Sequence, residues 1–447
     1  MKRGEAGARL DPQFLELKRR KEIRYATPLY PLTKIGMLAD FIQYGISERA
    51  NTNGSGIPMI RMNNLQPLGW DLSDLKHIEL DEPTLNKYRL EKGDILFNRT
   101  NSKELVGKSE VFNESGDWVF ASYLIRVRLD RSKAMPEFVS AFLNTDAGRM
   151  QIDQVSRQIA GMSNVNAEEL RELEIPLPPD VAQQSALISE LNSAIAQRDR
   201  YLREAGVLLG SLDELITSEL NLPSPNSIPT GGYAALRGAV RSVNNLSADY
   251  HHPERIRALR LISSVPHATL FSLVTFERSV LKEPGPARYL GLASVASNTG
   301  QLTDAVEMAA GQCFQFEAGD VLYGRLRPYL NKVWVATFGG VCSTEFHVMR
   351  TIDASRLRPE YLAVVMRTGL IVAQTKHMMT GNTHPRIANE DVVNLVIPLA
   401  DPKVQDRIVA AARERETEAN RLRDEAHAIW QAARQRFEDQ LLSGIAS

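Results

Sequence analysis

The sequence predicts an α+β protein: two repeated mixed α/β domains, separated by two long helices that pair as an antiparallel coiled coil. Three observations support this class. A series of short motifs occurs twice in the same order, about 220 residues apart. Within each copy, short β-like runs are interrupted by turn residues and followed by one clear helix. After each copy comes a long stretch in which apolar residues recur with helical spacing.

The repeat is clearest at one strand, where Glu91–Arg99 returns as Glu317–Arg325 with the Gly-Asp turn and the final arginine in the same places. Later landmarks return in order: Pro136-Glu137 as Pro359-Glu360, Ile175–Leu177 as Ile397–Leu399, and Gln184 as Gln405. Because this period is far too long for a solenoid, it indicates duplication of a whole domain with its trailing segment. We expect such a chain to contact two equivalent targets, or one target with two-fold symmetry.

Turn-rich and proline-rich stretches divide the chain into seven predicted segments. They are an N-terminal segment (1–27), a first domain (28–180), a first long helix (181–220), a linker (221–232), a second domain (233–400), a second long helix (401–442) and a C-terminal tail (443–447). The helix inside each domain is expected to begin at a proline, Pro136 or Pro359, because proline favours the first helical turn.

The two long segments are predicted to pair through their apolar stripes. In the first, apolar residues alternate at spacings of three and four, which is typical of a coiled-coil seam. The second has a weaker seam with small alanines, which suit close packing. A two-fold relation between the halves makes the pair antiparallel. The expected pairing residues are Ile188, Leu191, Ile195, Leu202, Leu209, Leu212 and Ile216 on the first helix, and Val404, Ile408, Leu422 and Ile429 on the second.

Composition restricts the class of protein further. The net charge of −1 means that any binding of nucleic acid depends on local basic patches rather than on overall charge. No apolar run approaches the roughly 20 residues that span a bilayer, and the N-terminus lacks an apolar signal core. The cysteines, Cys313 and Cys342, have no metal-type or redox spacing, so we expect free thiols and a cytoplasmic location.

The sequence contains none of the common catalytic motifs. It has no phosphate-binding GxxxxGK[ST] loop, no GxGxxG after a strand, no GxSxG and no HExxH. The one histidine pair, His251-His252, precedes a proline and is expected to be a surface feature. We therefore predict no catalytic residue, no metal site and no directly bound cofactor.

Polar and basic clusters recur at matching places in the two halves. Arginine can form two hydrogen bonds with guanine, and asparagine can form two with adenine. Basic side chains also neutralise phosphates, so these clusters predict a DNA-binding surface. The candidates after the repeated strand are Asn98, Arg99, Asn101, Ser102, Lys103 and Lys108 in the first half, and Arg325, Arg327, Tyr329, Asn331 and Lys332 in the second. A later glycine-led loop adds Ser163 and Asn164 in the first half, and Asn382, Thr383, His384 and Arg386 in the second.

A third cluster, Arg61, Asn63 and Asn64, follows an earlier strand of the first half. Its counterpart, Gly291–Ser294, is much less polar, so two reading surfaces of this kind would read different sequences. The structural alternative is that these residues are ordinary solvated strand exits and turns.

The chain resembles the specificity (S, HsdS) subunit of Type I restriction–modification systems. The resemblance depends on the order of motifs rather than on one motif alone. Each half has an early strand, the Gly-Asp strand ending in arginine (Gly93–Arg99 and Gly319–Arg325), a polar glycine loop and an Ile-Pro-Leu run. A long helix then begins with a glutamine, Gln184 or Gln405. The likeness covers residues 28 to 442.

This resemblance implies two target recognition domains, each reading half of a bipartite target in double-stranded DNA, with the paired helices between them. It implies that the chain is not itself an enzyme and belongs to a phage-defence system. The implied partners are two methyltransferase (M) subunits, which bind S-adenosylmethionine, and restriction/translocase (R) subunits. The chain itself is expected to bind no cofactor.

Three alternatives stay open at this point. The first is a metal-dependent nuclease with an unfamiliar site, using Asp94 or Asp320 as metal ligands. The second is a structural coiled-coil scaffold with two protein-binding heads. The third keeps DNA recognition but places it in a different phage-defence or single-subunit system.

Overall fold

The structure is a computed structural model that describes residues 12–48, 50–51, 54–66, 69–103, 105–159, 162–223, 247, 249–282, 287–309, 311–381 and 384–442. The chain divides into two compact units, residues 1–200 with 425–447 and residues 201–424. Each unit contains one globular domain with parts of both long helices. The predicted linker from residue 224 onward, and the predicted tail at 443–447, lie outside the described residues.

The helices, in chain order, are α1 (Pro12–Arg24), α2 (Ile35–Leu38), α3 (Glu82–Tyr88), α4 (Pro136–Leu143), α5 (Asp146–Val155), α6 (Ala167–Arg171), α7 (Val181–Gly210), α8 (Leu212–Glu219), α9 (Pro253–Ser263), α10 (Pro359–Met366), α11 (Gly369–Lys376), α12 (Asn389–Val392) and α13 (Pro402–Leu442). Within the described part of the chain, no helix is both long enough and apolar enough to cross a membrane. The helices α4 and α10 begin at Pro136 and Pro359, as predicted.

The strands of the first unit are β1 (Leu32–Lys34), β2 (Ala39–Tyr44), β3 (Ile57–Ile60), β4 (Leu65–Gln66), β5 (Gly69–Trp70), β6 (Lys76–Ile78), β7 (Ile95–Asn98), β8 (Thr100–Asn101), β9 (Ser109–Val111), β10 (Val119–Phe120), β11 (Leu124–Leu129), β12 (Arg157–Ile159), β13 (Met162–Asn164) and β14 (Glu174–Pro176). Those of the second unit are β15 (His267–Thr269), β16 (Val274–Glu277), β17 (Val280–Leu281), β18 (Tyr289–Leu290), β19 (Cys313–Phe316), β20 (Val321–Gly324), β21 (Val333–Val335), β22 (Gly340–Ser343), β23 (Phe346–Thr351) and β24 (Val396–Pro398).

The two units share the strand order of one four-stranded sheet and several further strand pairs. The first has an antiparallel sheet in the order β2-β11-β7-β9, and the second has β16-β23-β20-β21. A further sheet in each contains one parallel pair, β10 with β3 and β22 with β18. Each domain is closed by an antiparallel pair, β1 with β14 and β15 with β24. The internal repeat therefore corresponds to a repeated fold of mixed helices and sheets.

The repeated Gly-Asp strand lies at the centre of each antiparallel sheet. Ile95, Leu96 and Phe97 are fully buried in the first unit, and Val321, Leu322 and Tyr323 are their buried counterparts. A continuous apolar run is expected where a strand is covered on both faces. The strand therefore fixes the position of whatever side chains follow its end.

Two buried bonding patterns also recur. Gln184 at the start of α7 accepts a hydrogen bond from the backbone N–H of Met135 at 2.8 Å and donates to the Lys133 carbonyl at 3.0 Å. Gln405 makes the same pair of bonds to Arg358 and Arg356. Both glutamines are fully buried. Each therefore attaches the start of a long helix to the domain that precedes it.

The second recurring pattern is a buried carboxylate held by an arginine. In the first unit, Arg128 donates to both oxygens of Asp94 at 2.7 and 2.8 Å. In the second, Arg350 donates to both oxygens of Asp320 at 2.8 and 2.9 Å. The bond to Asp320 raises the pKa of Arg350 well above its usual value. Each aspartate also accepts from the backbone of the residue three positions earlier, so it fixes the turn before the central strand.

The long helices pack in antiparallel pairs within each unit. In the first unit Glu190 forms an ion pair with Arg436 at 2.7 Å, and the Arg198 guanidinium lies 6.0 Å from the Trp430 ring centre. In the second unit, Arg407 pairs with Glu219 at 3.2 Å and Arg415 donates to Ser211 at 3.1 Å. In both cases the residue number rises on one helix as it falls on the other. The predicted antiparallel pairing is thus present in each unit.

Most predicted pairing residues pack as expected, with two corrections. Ile188, Leu191, Leu212, Ile216, Ile408 and Leu422 are buried, while Ile195, Leu209, Val404 and Ile429 are partly buried against the apolar clusters. Leu202, however, is 44% exposed, because Tyr201 and Ala205 take the inward positions of that turn. The first helix is also not continuous to residue 220, since α7 ends at Gly210 and α8 begins after Ser211.

Candidate nucleic-acid interface

In the first domain, two of the predicted polar clusters lie together. Arg99 leaves strand β7, and its guanidinium donates to the side-chain oxygen of Asn164 at 2.9 Å. The same guanidinium lies 5.1 Å from the centre of the Tyr44 ring. Strand β13, with Ser163 and Asn164, pairs with strand β8, which follows Arg99. The strand exit and the later polar loop therefore form one surface, with an oriented arginine at its centre.

The second domain brings the equivalent loops together. Arg325 leaves strand β20, and its backbone carbonyl accepts from Ile387 at 3.1 Å. The next residue, Leu326, forms an isolated β-bridge with Arg386. Arg327 donates its backbone N–H to the carbonyl of Pro385 at 2.7 Å. The predicted candidates Asn382 and Thr383 lie outside the described residues, but their loop reaches the strand exit on its C-terminal side.

The surroundings of the two arginines differ. Arg325 lines a cleft of 180 Å³ together with Arg278 and His347. The Nε atoms of Arg99 and Arg325 are alike in being buried without a hydrogen-bond partner. By strand pairing, Arg278 occupies the place of Tyr44, and His347 the place of Ile125. Burial, with the charges of Arg325 and Arg278, lowers the pKa of His347 to about 3. The imidazole is therefore neutral at physiological pH, and the charged lining residues of this cleft are the two arginines and Glu277.

Arg386 is held by an acidic partner. Its Nε and Nη2 donate to Glu345 at 3.0 and 2.7 Å, and this bonding raises the pKa of Arg386 above its usual value. Arg61 in the first domain is held similarly by Asp74 at 2.9 Å. The positive charge of each of these arginines is thus partly neutralised by an acidic neighbour.

Four predicted DNA contacts are corrected by burial. Asn64, Asn98, Ser163 and Asn331 are at most 2% exposed. Asn64 accepts from the backbone of Arg61 at 2.9 Å and donates to the Asp71 carbonyl at 2.8 Å, while Asn331, in a left-handed conformation (φ 52°), donates to the Arg367 carbonyl at 2.6 Å. These side chains shape the loops from inside rather than facing a ligand.

Lys332 is engaged in the same way. Its ammonium donates to the carbonyls of Leu292 and Val295 at 2.8 and 2.6 Å, and burial lowers its pKa. Burial and the nearby charge of Arg149 also lower the pKa of Lys108 in the first domain. Asn101 accepts a hydrogen bond from the backbone N–H of Ser102 at 2.9 Å, and both side chains are half-buried. The exposed candidates are Asn63, Lys103, Arg327, Tyr329 and His384.

Sequence reasoning missed Tyr44 and Arg278. Each ends the edge strand next to the strand exit, so it comes close to the repeated arginine only through sheet pairing. Neither one follows the repeated Gly-Asp strand or the glycine-led loop in the sequence. They could have been identified by aligning the two halves, because Tyr44 at the end of β2 and Arg278 just beyond β16 are equivalent positions.

The geometry disfavours metal binding at Asp94 and Asp320. Both oxygens of each carboxylate already accept hydrogen bonds from an arginine, and each carboxylate is only 1% exposed. A divalent ion would have to displace the guanidinium that holds each buried carboxylate. In the part of the chain that the structure describes, the one cluster of possible metal ligands contains neither aspartate.

Comparison with known proteins gives these domains a class. Residues 36–189 match the sequence model described as "Type I restriction modification DNA specificity domain". Residues 36–189 are therefore similar to a DNA specificity domain of type I restriction–modification systems, and the second domain repeats the strand order of the central sheet. The resemblance predicted from the sequence is confirmed.

Among the relatives, the chain is similar to the type I restriction enzyme EcoKI specificity subunit of Escherichia coli K12, with 25% identity over 182 residues (40% of this chain and 39% of that protein). It is 28% identical over 190 residues to the StySPI specificity subunit of Salmonella potsdam (42% and 41%). The matches span about two fifths of these relatives. The crystal structure of the S subunit from M. genitalium aligns over 94% of this chain and 97% of that one, with 12% identity and a TM-score of 0.42.

Proposed function

We propose that the chain is the non-catalytic DNA-recognition subunit of a type I restriction–modification complex. Each globular domain reads one half of a bipartite target in double-stranded DNA. The observation that carries the proposal is the duplicated interface, in which a buried central strand delivers an arginine to the same pair of loops in both domains. A DNA specificity domain matched over residues 36–189 gives that interface its ligand class.

Base reading is assigned to the arginines at the strand exits. Arg99 is oriented by Tyr44 and Asn164, and a fixed guanidinium loses less freedom when it forks onto a guanine. Exposed Lys103 and Arg327 are suited to phosphate contacts, which set the position of the protein on the duplex. Because the surroundings of Arg99 and Arg325 differ, the two half-sites differ in sequence.

The chemistry belongs to the partners. Two methyltransferase (M) subunits bind S-adenosylmethionine, flip the target adenine and methylate it, and restriction/translocase (R) subunits join through them. The chain itself binds no cofactor for this reaction. Relatives named as specificity subunits of restriction enzymes support this assignment. A DNA target of this kind implies a cytoplasmic location.

The test is duplex binding by the chain co-purified with its methyltransferase subunits. Fluorescence anisotropy against increasing salt should give an affinity that falls steeply, because phosphate binding releases counterions. Arg99→Ala and Arg325→Ala should each weaken binding by about 1–3 kcal/mol and relax specificity in one half-site only. Arg413→Ala, an exposed arginine on α13 paired with Glu360, is the matched control and should change neither.

Each alternative predicts a different result in the same assay. A coiled-coil scaffold with protein-binding heads gives no DNA affinity and no salt dependence. A nuclease cleaves the duplex when magnesium is added to the purified chain. A single-subunit system shows full sequence preference without any methyltransferase subunit present.

A further inference from the structure

A cluster of two histidines and a glutamate lies where two helices of the second unit meet. His252 is the N-cap of α9, Glu254 follows in the first turn of that helix, and His377 comes directly after α11. Their possible ligand atoms all lie within 4.8 Å of one another. All three side chains are half-buried, so the cluster is accessible from one side.

The two imidazole rings lie near one carboxylate oxygen of Glu254. His377 Nε2 lies 2.9 Å from Oε2 of Glu254, and His252 Nδ1 lies 4.0 Å from the same oxygen. The two imidazole rings stack with centroids 3.8 Å apart and an interplanar angle of 14°. Two ring nitrogens therefore lie near one carboxylate oxygen. His252 Nδ1 also accepts the N-cap hydrogen bond from the backbone N–H of Glu254 at 3.3 Å, so a bound ion has to replace that bond.

We propose that His252, Glu254 and His377 form a binding site for a divalent transition-metal ion of the zinc class. Imidazole nitrogen with carboxylate oxygen is a donor set that zinc accepts, with bonds of roughly 2.0–2.2 Å. Ligands at those distances around one ion lie about 3–3.5 Å from each other. Because the ligand atoms now lie up to 4.8 Å apart and the imidazole rings are stacked, binding has to draw the two histidines together by about 1–2 Å and turn one ring out of the stack. The open side of the cluster leaves a coordination position for water. The ion attaches α9 to α11.

Lys376 is the competitor for this site. Its ammonium lies 3.2 Å from the same oxygen of Glu254, so this carboxylate already has a cationic partner. An incoming ion therefore has to replace the lysine as the cationic partner of that carboxylate.

The site is separate from the proposed recognition of DNA. Its residues lie on α9 and α11, whereas the candidate DNA contacts follow strand β20 and the loop before α12. The first half of the chain has one histidine, His77, so the duplication supplies no second copy of the site. Failure of either proposal therefore leaves the other standing.

The test is titration of the full-length chain with zinc chloride by isothermal titration calorimetry. The wild type should bind one ion, His252→Ala and His377→Ala should each weaken binding by at least tenfold, and His427→Ala, an exposed histidine on α13, should leave it unchanged. Lys376→Met should tighten zinc binding several-fold, because it removes the competing cation. This increase in zinc affinity distinguishes a specific site made of these three side chains from adventitious binding to surface histidines.

Cobalt(II) in place of zinc gives a second readout, since its visible absorption reports nitrogen and oxygen ligands in tetrahedral geometry. Glu254→Gln keeps the shape of the side chain and should abolish that absorption while circular dichroism stays unchanged. The proposal is overturned if the wild type binds no stoichiometric zinc. It is equally overturned if His427→Ala weakens binding as much as His252→Ala, or if Lys376→Met fails to tighten it.

Discussion

The two domains share their buried bonding and differ at the loops that it positions. Asp94 with Arg128 is matched by Asp320 with Arg350, and Gln184 by Gln405. At the strand exit, in contrast, the tyrosine beside Arg99 is replaced by an arginine beside Arg325.

This difference has a physical origin. Replacing one partner of a buried hydrogen-bonded pair leaves the other uncompensated, whereas exposed side chains change at little cost in stability. A duplicated domain can therefore keep its scaffold and acquire a second sequence preference.

The largest effect should come from removing the buried carboxylate of the first domain. Asp94→Asn should cost about 3–5 kcal/mol, because it leaves buried Arg126, 3.6 Å away, without its ion-pair partner and leaves Arg128 with Glu91 alone. Asp320→Asn should cost about 1.5–3 kcal/mol, since Arg350 is 38% exposed and can turn to water. The free energy of unfolding of each domain can be measured in denaturant, with amide hydrogen exchange reporting which domain unfolds. Equal losses would contradict the asymmetry.

The glutamine anchors should be equivalent. Gln184→Ala and Gln405→Ala each leave one backbone N–H and two carbonyls without their partner, and each should cost about 1–3 kcal/mol. The two losses should agree within about 0.5 kcal/mol, as expected for matched sites. The same unfolding experiment gives both values, and a large difference would mean that the two helix starts are attached differently.

A smaller effect is expected at an acid found only in the second domain. Glu345→Gln removes the charge that holds Arg386, so this arginine becomes available to a phosphate. Binding to the duplex should tighten by up to about 1 kcal/mol, and the magnitude of the salt slope should rise by about 0.9. Anisotropy titrations at several salt concentrations measure it. An unchanged slope would place Arg386 away from the DNA.

The smallest effect tests the corrected helix seam. Leu202→Ala should change stability by no more than about 0.5 kcal/mol, because the side chain is 44% exposed. Ile216→Ala, at a fully buried seam position, should cost about 2–5 kcal/mol. Thermal and denaturant unfolding of both variants, compared with the wild type, measures the contrast. If Leu202→Ala lost as much stability as Ile216→Ala, Leu202 would belong to the helix seam, as the sequence predicted.

The local features of the fold were accessible from the sequence, because they depend on neighbouring residues. The apolar run Ile95–Phe97 after a Gly-Asp turn predicted the central strand, and Pro136 predicted the start of α4. The register around Leu202 was wrong because a seam that drifts between spacings of three and four can be continued through either Tyr201 or Leu202.

The candidate interface was harder to predict. Asn64, Asn98 and Asn331 have the composition of DNA contacts, yet asparagine equally serves as a buried cap or turn residue. Only tertiary structure separates the two roles, since it shows which amide is already bonded. Tyr44 could not be found because its approach to Arg99 depends on the pairing of β2 with β11.

The most direct test of the central claim is the adenine methylome of cells that express a type I methyltransferase (M) subunit, with and without this chain. The account predicts methyladenine at one motif with two specified parts and an unspecified spacer, and only when the chain is present. Arg325→Ala should relax one part and leave the other intact. Identical methylation with and without the chain, or a single uninterrupted motif, would contradict the reading of two half-sites by two domains.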